Sequence, residues 1–145
     1  MADVSHFACK NGLAFQRLDQ AFYHRPCHDS LQGEAERLFS NHGAGQVPLS
    51  YHCCAEAGTL ALSRPDIAAA MRTRKAESLG ALSGANGRVK TVLTNCPSCI
   101  QGLGRHPVLP VKARHLAVEL AIGTGGASWE KELREWVVNA EAITF

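Results

Sequence analysis

Five cysteines are spaced as C-x25-CC-x41-C-x-x-C: Cys27, the adjacent pair Cys53 and Cys54, and Cys96 and Cys99 on either side of Pro97-Ser98. Ionised, each offers a soft sulfur that binds metal or acts as a redox nucleophile. A structural zinc ion is satisfied by four ligands in a tetrahedron, so five thiols are one too many for it. Cys96 and Cys99 can both reach one metal centre, a spacing shared by zinc knuckles, iron–sulfur loops and dithiol redox turns. The vicinal pair discriminates further. Neighbouring residues aim their side chains in different directions, which suits two irons of one cluster better than one small ion. The alternative is that one of the pair is a buried spectator.

Two other chemistries stay open on these residues. Zinc could be held by four of the thiols, or by three with His28 or His52, the imidazoles next to Cys27 and Cys53. A metal-free dithiol could instead cycle between Cys96 and Cys99. Cys9 has no partner at useful spacing and reads as structural or disordered. Glu56, two residues past the pair, reads as a turn cap or alternatively as a residue that tunes a cluster. Nothing in the chain matches a GxGxxG, P-loop or nucleophile-elbow pattern, so this segment carries no sign of its own flavin or nucleotide site.

The elements that must position these thiols are legible in outline. A chain of 145 residues with 46% apolar and 19% charged residues fits one folded domain rather than a disordered one. A net charge of +2 is too mild to indicate a nucleic-acid partner. The short basic run Arg72, Arg74 and Lys75 reads as a solvated helix face, or alternatively as an offset to a thiolate cluster. No apolar run approaches the ~18–20 residues of a membrane span, and the first residues do not resemble a signal peptide. The expectation is a cytoplasmic protein without direct membrane insertion, where paired cysteines bind metal or do redox work rather than form structural disulfides.

Residues 1–20 read as a leader or partly ordered segment and 21–145 as the domain. Strands are expected at 21–24, at 47–51 (edge-demoted by Pro48) and at 89–94. Helices are expected over 31–41, from a Ser63 N-cap with Ile67, Ala70, Met71, Leu79 and Leu82 in helical spacing, from Pro97, and from Ser128, with Trp129, Leu133, Trp136 and Val137 on one face. Residues 114–120 fit either a strand or a helix start. Alternating strands and helices predict an α/β fold, a parallel Rossmann-like sheet of about four strands flanked by helices. All five cysteines fall at or just after a strand end, where such sheets collect ligands.

Tyr23-His-Arg-Pro-Cys27-His-Asp, Cys53-Cys54-Ala-Glu-Ala-Gly-Thr, Ser63-Arg-Pro-Asp-Ile67 with Arg74-Lys75, and Thr94-Asn-Cys96-Pro-Ser-Cys99-Ile-Gln-Gly together resemble the cysteine-rich CCG domain. That domain occurs in heterodisulfide reductase, in iron–sulfur subunits of glycolate, lactate and anaerobic glycerol-3-phosphate oxidoreductases, and in large bacterial FAD-linked oxidases, to whose C-terminal part the chain looks most similar. The resemblance implies an iron–sulfur cluster of 4Fe-4S type on Cys27, Cys53, Cys54, Cys96 and Cys99, with zinc in some relatives. It also implies electron exchange with flavin (FAD) and ferredoxin-like domains of the same enzyme, without turnover by this domain alone. One departure stands out: the motif's glycine is Ala55 here, comfortable at negative φ and strained at positive φ.

Overall fold

Strand β1 (Ala21–His24) is buried along its whole length, and its neighbours follow from the pattern of the chain around it. In a computed structural model, which describes residues 3–56, 59–83, 91–105 and 111–140, β1 pairs in parallel with β2 (Leu49–Ser50) on one side and β3 (Thr91–Thr94) on the other. Strand β4 (Lys112–His115) extends β3, giving a parallel sheet in the order β2-β1-β3-β4. Pro48 precedes the edge strand, where a missing N–H costs no ladder bond. Parallel pairing forces each connection to cross over, here through α2 (Ala35–Asn41), through α3 (Leu60–Ser63) with α4 (Pro65–Ser83), and through α5 (Pro97–Gly104), while α1 (Val4–Lys10) precedes the sheet and α6 (Leu116–Gly125) and α7 (Trp129–Asn139) follow it. The α/β parallel sheet flanked by helices is the architecture that the alternating pattern implies.

Because side chains alternate along a strand, the sheet carries two cores. On one face Ala21, Tyr23 and Leu93 pack with Cys9 of α1, Phe15, Leu38 and Phe39 of α2, and Leu116 and Leu120 of α6. On the other Phe22 and Val92 pack with Leu79 of α4, Leu103 and Cys99 of α5, and Cys54. The N-terminal segment, set apart from the domain on sequence, places Cys9 and Phe15 in the first of these cores. Asp3 caps α1 by accepting from Ser5 N at 2.8 Å and also bonds Ser30 and, at 3.3 Å, Asn95 Nδ2.

Several local expectations shift. Helix α2 begins at Ala35 rather than Leu31; residues 31–34 form turns, with Gln32 and Gly33 at positive φ. Pro65 opens α4 as expected, but Ser63 closes α3 instead of capping α4, its hydroxyl donating to Thr59 O at 3.0 Å. The inward row of α4 is Ala68, Lys75 and Leu79, while Ile67 and Leu82 are exposed. A lysine in the core row blurs the apolar stripe from which the helix face was read. Both readings of 114–120 hold in part, since β4 runs directly into α6. Ser128 precedes α7 but bonds Glu132 rather than a backbone N–H, and the face bearing Leu133, Trp136 and Val137 is exposed. The first residues of the expected third strand, 89 and 90, lie outside the described residues.

Phe39 is fully buried, its ring 5.5 Å from those of both Phe15 and Tyr23. Phe39→Ala is therefore predicted to lower unfolding stability by about 3–5 kcal/mol. Trp136→Ala, at a side chain 70% exposed, should stay within about 0.5 kcal/mol of wild type. Urea titration of the two variants checks the contrast.

Candidate metal centre

Each thiol arrives from the carboxyl end of a strand. Cys27 follows β1, Cys53 and Cys54 follow β2, and Cys96 is the residue before α5, directly after β3. Parallel pairing points those ends the same way, and the chain reverses its winding direction between β1 and β3, which is where open sheets of this type place ligands. Pro97 suits the first turn of α5, where no N–H is needed. The helix then carries Cys99 inward beside Leu103.

The sulfurs form a connected group. Cys54 Sγ lies 3.2 Å from Cys99 Sγ, and Cys27 Sγ lies 3.6 Å from Cys53 Sγ. Cys96 is a further hydrogen-bonding neighbour of Cys99, and Cys54 acts electrostatically on Cys53. The group is graded in depth: Cys54 and Cys99 are buried, Cys53 and Cys96 half-buried, and Cys27 exposed. All six cysteines of the chain are free thiols.

A histidine stands among these sulfurs, but not one of those adjacent to a thiol in sequence. His28 and His52 are exposed. His24, the last residue of β1, shares the Phe22 face of the sheet and offers a ring nitrogen within 4.8 Å of the Cys54 and Cys99 sulfurs, themselves that close to each other. His24 is fully buried; its Nδ1 is 2.8 Å from Lys75 Nζ, while Nε2 has no close hydrogen-bond partner among the described residues and interacts with the Cys54 sulfur at longer range. A buried polar atom without a partner is costly unless something binds it. The donor set of imidazole and thiolates suits soft or borderline metals such as zinc and iron. Strand alternation from Phe22 to His24 was the available signal for this residue, and the reading from thiol neighbours passed over it.

Electrostatics separate the two inner sulfurs. The Cys54 thiol is pulled down to about 4, first by the hydrogen bond from Cys99 and then by His24 and the Glu56 backbone N–H, against the opposing effect of burial. Cys99 is pushed well up by that same bond to Cys54 and by burial. One proton is thus held on Cys99 and handed as a hydrogen bond to a Cys54 thiolate. Burial, and the thiol of Cys27, raise Cys53 as well. His24 is lowered by burial, which keeps the ring neutral, and with Nδ1 accepting from Lys75 the ring proton falls to Nε2, from which His24 favours the Cys54 thiolate. The basic run resolves in part: Lys75 is buried at 1% exposure and bonds His24 Nδ1 and Ser50 Oγ (2.6 Å), whereas Arg74 lies on the exposed face.

Backbone geometry holds the doublet in place. Ala55, where the resembling motif has glycine, adopts φ +62° and is buried, and its N–H donates to Cys53 Sγ at 3.3 Å. Gly102 of α5 sits against this turn so closely that a Cβ there would lie 2.7 Å from Glu56 Cβ and 3.2 Å from Cys54 O. That glycine lets α5 approach the doublet, and Glu56 is held from the other side by Arg105 at 3.1 Å.

Fold and site together define an α/β domain with a group of thiols and one imidazole, able to hold a metal ion, at the carboxyl edge of its sheet. The chain is 34% identical over 102 residues to the glycolate oxidase iron-sulfur subunit of Escherichia coli (strain K12), a match covering 66% of this chain and 25% of that protein. The chain thus matches about a quarter of the length of that curated relative. No family model and no solved structure matches it.

In reduced, metal-free protein, ultraviolet absorbance should show a thiolate at pH 7 that disappears as the pH falls through about 4 and is missing from Cys54→Ser. Since folding depresses this pKa below the unfolded thiol's value of about 8.5, its stabilising contribution is full above that pH. It declines on acidification and is lost below about 4. Separately, Ala55→Gly relieves a left-handed conformation that costs a non-glycine residue about 1–3 kcal/mol, partly offset by the greater freedom of the unfolded chain. It should leave stability unchanged or raise it by up to about 1 kcal/mol, and Ala55→Val should lower it by more than about 2 kcal/mol. Chemical denaturation of both variants reads the difference.

Proposed function

We propose that this chain is an iron–sulfur-binding electron-transfer domain, with Cys27, Cys53, Cys54, Cys96 and Cys99 as the protein ligands of a 4Fe-4S type cluster. The observation that carries the reading is the linked group of five sulfurs drawn from three strand ends, one more than a mononuclear zinc site uses. The similarity to an iron-sulfur subunit supports it. The partners under this reading are FAD-bearing and ferredoxin-like domains of one oxidoreductase in a reducing, cytoplasmic setting, and the domain by itself turns over no substrate. Among the described residues no helix is long and apolar enough to cross a membrane.

When bound, such a cluster supplies reversible one-electron exchange. The protein's own residues do the rest. Cys54 is ionised at neutral pH and needs no base before it binds metal. Cys99 must surrender its proton, so cluster binding releases protons and strengthens as the pH rises. The buried side of the site, with Phe22, Val92 and Leu103, keeps water from the inner sulfurs. Exposed Cys27 leaves an outer edge where an electron partner can approach.

A second reading is favoured by one observation, the tight grouping of His24, Cys54 and Cys99. In that case a zinc ion takes these three and one further thiol, and the domain shapes an interface instead of moving electrons.

Anaerobic reconstitution with iron and sulfide distinguishes the two. Wild type should bind about four irons and four sulfides per chain with broad visible absorption. Cys53→Ser and Cys54→Ser should each lose most of it. A colourless protein with one zinc per chain, abolished by His24→Ala but indifferent to Cys27→Ser, would replace this reading with the second.

A further inference from the structure

Lys75 occupies a place in the fold that a lysine normally avoids. It lies in the core row of α4 between Ala68 and Leu79, is 1% exposed, and faces no carboxylate among its hydrogen-bond partners. Its Nζ reaches His24 Nδ1 at 2.8 Å, Ser50 Oγ at 2.6 Å and Ser50 O at 3.4 Å. Those are neutral groups at the ends of β1 and β2. Three such bonds satisfy the ammonium's hydrogens, but they do not balance its charge.

The groups whose negative charge acts on it are the sulfurs. Burial pulls the Lys75 ammonium down to about 8, and Cys54, Cys99 and Cys53 act against that burial to favour its charged form, so it remains charged at neutral pH. The link is also structural, because the imidazole that accepts the lysine at one nitrogen stands beside Cys54 and Cys99. Helix α4 is thus joined to the metal centre by a cation and a histidine in line. Arg64, by contrast, spends its charge on Asp66 at the exposed start of the same helix.

Resting on the iron–sulfur reading, we infer that Lys75 is a positioning residue whose buried charge, conveyed alongside His24, sets the reduction potential of the group held by the cysteines. The electrostatic sense is fixed. Adding an electron makes the site more negative, so a cation held at short range in a poorly screened interior favours the reduced state. Removing that cation disfavours it. Lys75 would then be one of the protein's means of setting the potential, alongside cluster type and exposure.

The test compares reconstituted full-length wild type with Lys75→Met and Lys75→Gln by redox titration followed in the visible spectrum and by electron paramagnetic resonance. Both variants should reduce at least tenfold less favourably, a fall of about 59 mV for a one-electron step. Gln can still donate a hydrogen bond, so a normal potential in Gln with a lowered one in Met would assign the effect to hydrogen bonding and overturn the inference. Unshifted potentials in both would overturn it too. Should neither lysine variant hold the cluster, Ser50→Asp places a carboxylate beside Nζ and cancels the charge with the lysine in place. A lowered potential there supports the inference, and an unchanged one overturns it. A wild type that takes up no iron defeats the iron–sulfur reading and this inference together, whereas a loaded wild type with unshifted variants defeats this inference alone.

Discussion

Sulfurs brought together in a buried corner cannot all ionise, and most of the site's features answer that constraint. Two like charges in a poorly screened interior repel strongly. Within the inner pair the contact and burial push the Cys99 thiol up while the same contact draws Cys54 down, which favours the charge on Cys54 and the proton on Cys99. A neutral imidazole and a buried ammonium lie on the inner side, and the less buried thiols spread outward toward solvent. A cation bound among the sulfurs would remove the constraint altogether, which is why the arrangement makes chemical sense as a metal centre.

The sheet makes the concentration of thiols feasible. Parallel strands end on one side, so three loops far apart in sequence deliver side chains to one place without any loop being long. Each loop is then pinned locally. Asp29 accepts from the N–H groups of Leu31 and Gly33 and pairs with Arg25 at 3.1 Å, which fixes the turn around Cys27. Tyr23 OH meets Asn95 at 3.0 Å, tying the end of β1 to the approach to Cys96. Ala55 and Gly102 do the corresponding work for the doublet, one through a left-handed turn and the other by having no side chain where α5 meets it.

Much of this could be read from the chain. Beta-branched and aromatic runs bounded by Pro and Gly marked β1 and β3, and Pro97 marked the start of α5. The strand–helix rhythm was enough to infer a parallel sheet and the edge on which the cysteines would lie. Less legible were residues whose role depends on facing. Lys75 closes a basic run with Arg72 and Arg74 that read as a solvated face or as an offset to a thiolate cluster, and His24 read only as the last residue of a strand. Helix and strand periodicity does place them inward, but only once the face that meets the core is known, and the lysine itself obscured that face.

By itself, then, the amino-acid sequence determined the thiols, their spacing and their position after strand ends, because those follow from local propensity and chain order. Only the tertiary structure decided that Cys54 and Cys99 form the deep pair, that His24 rather than His28 or His52 stands with them, and that Lys75 lies beneath. Those outcomes depend on how helices α4 and α5 pack across the sheet. Depth, shared protons and buried charge are properties of neighbours in space, and no spacing along the chain encodes them.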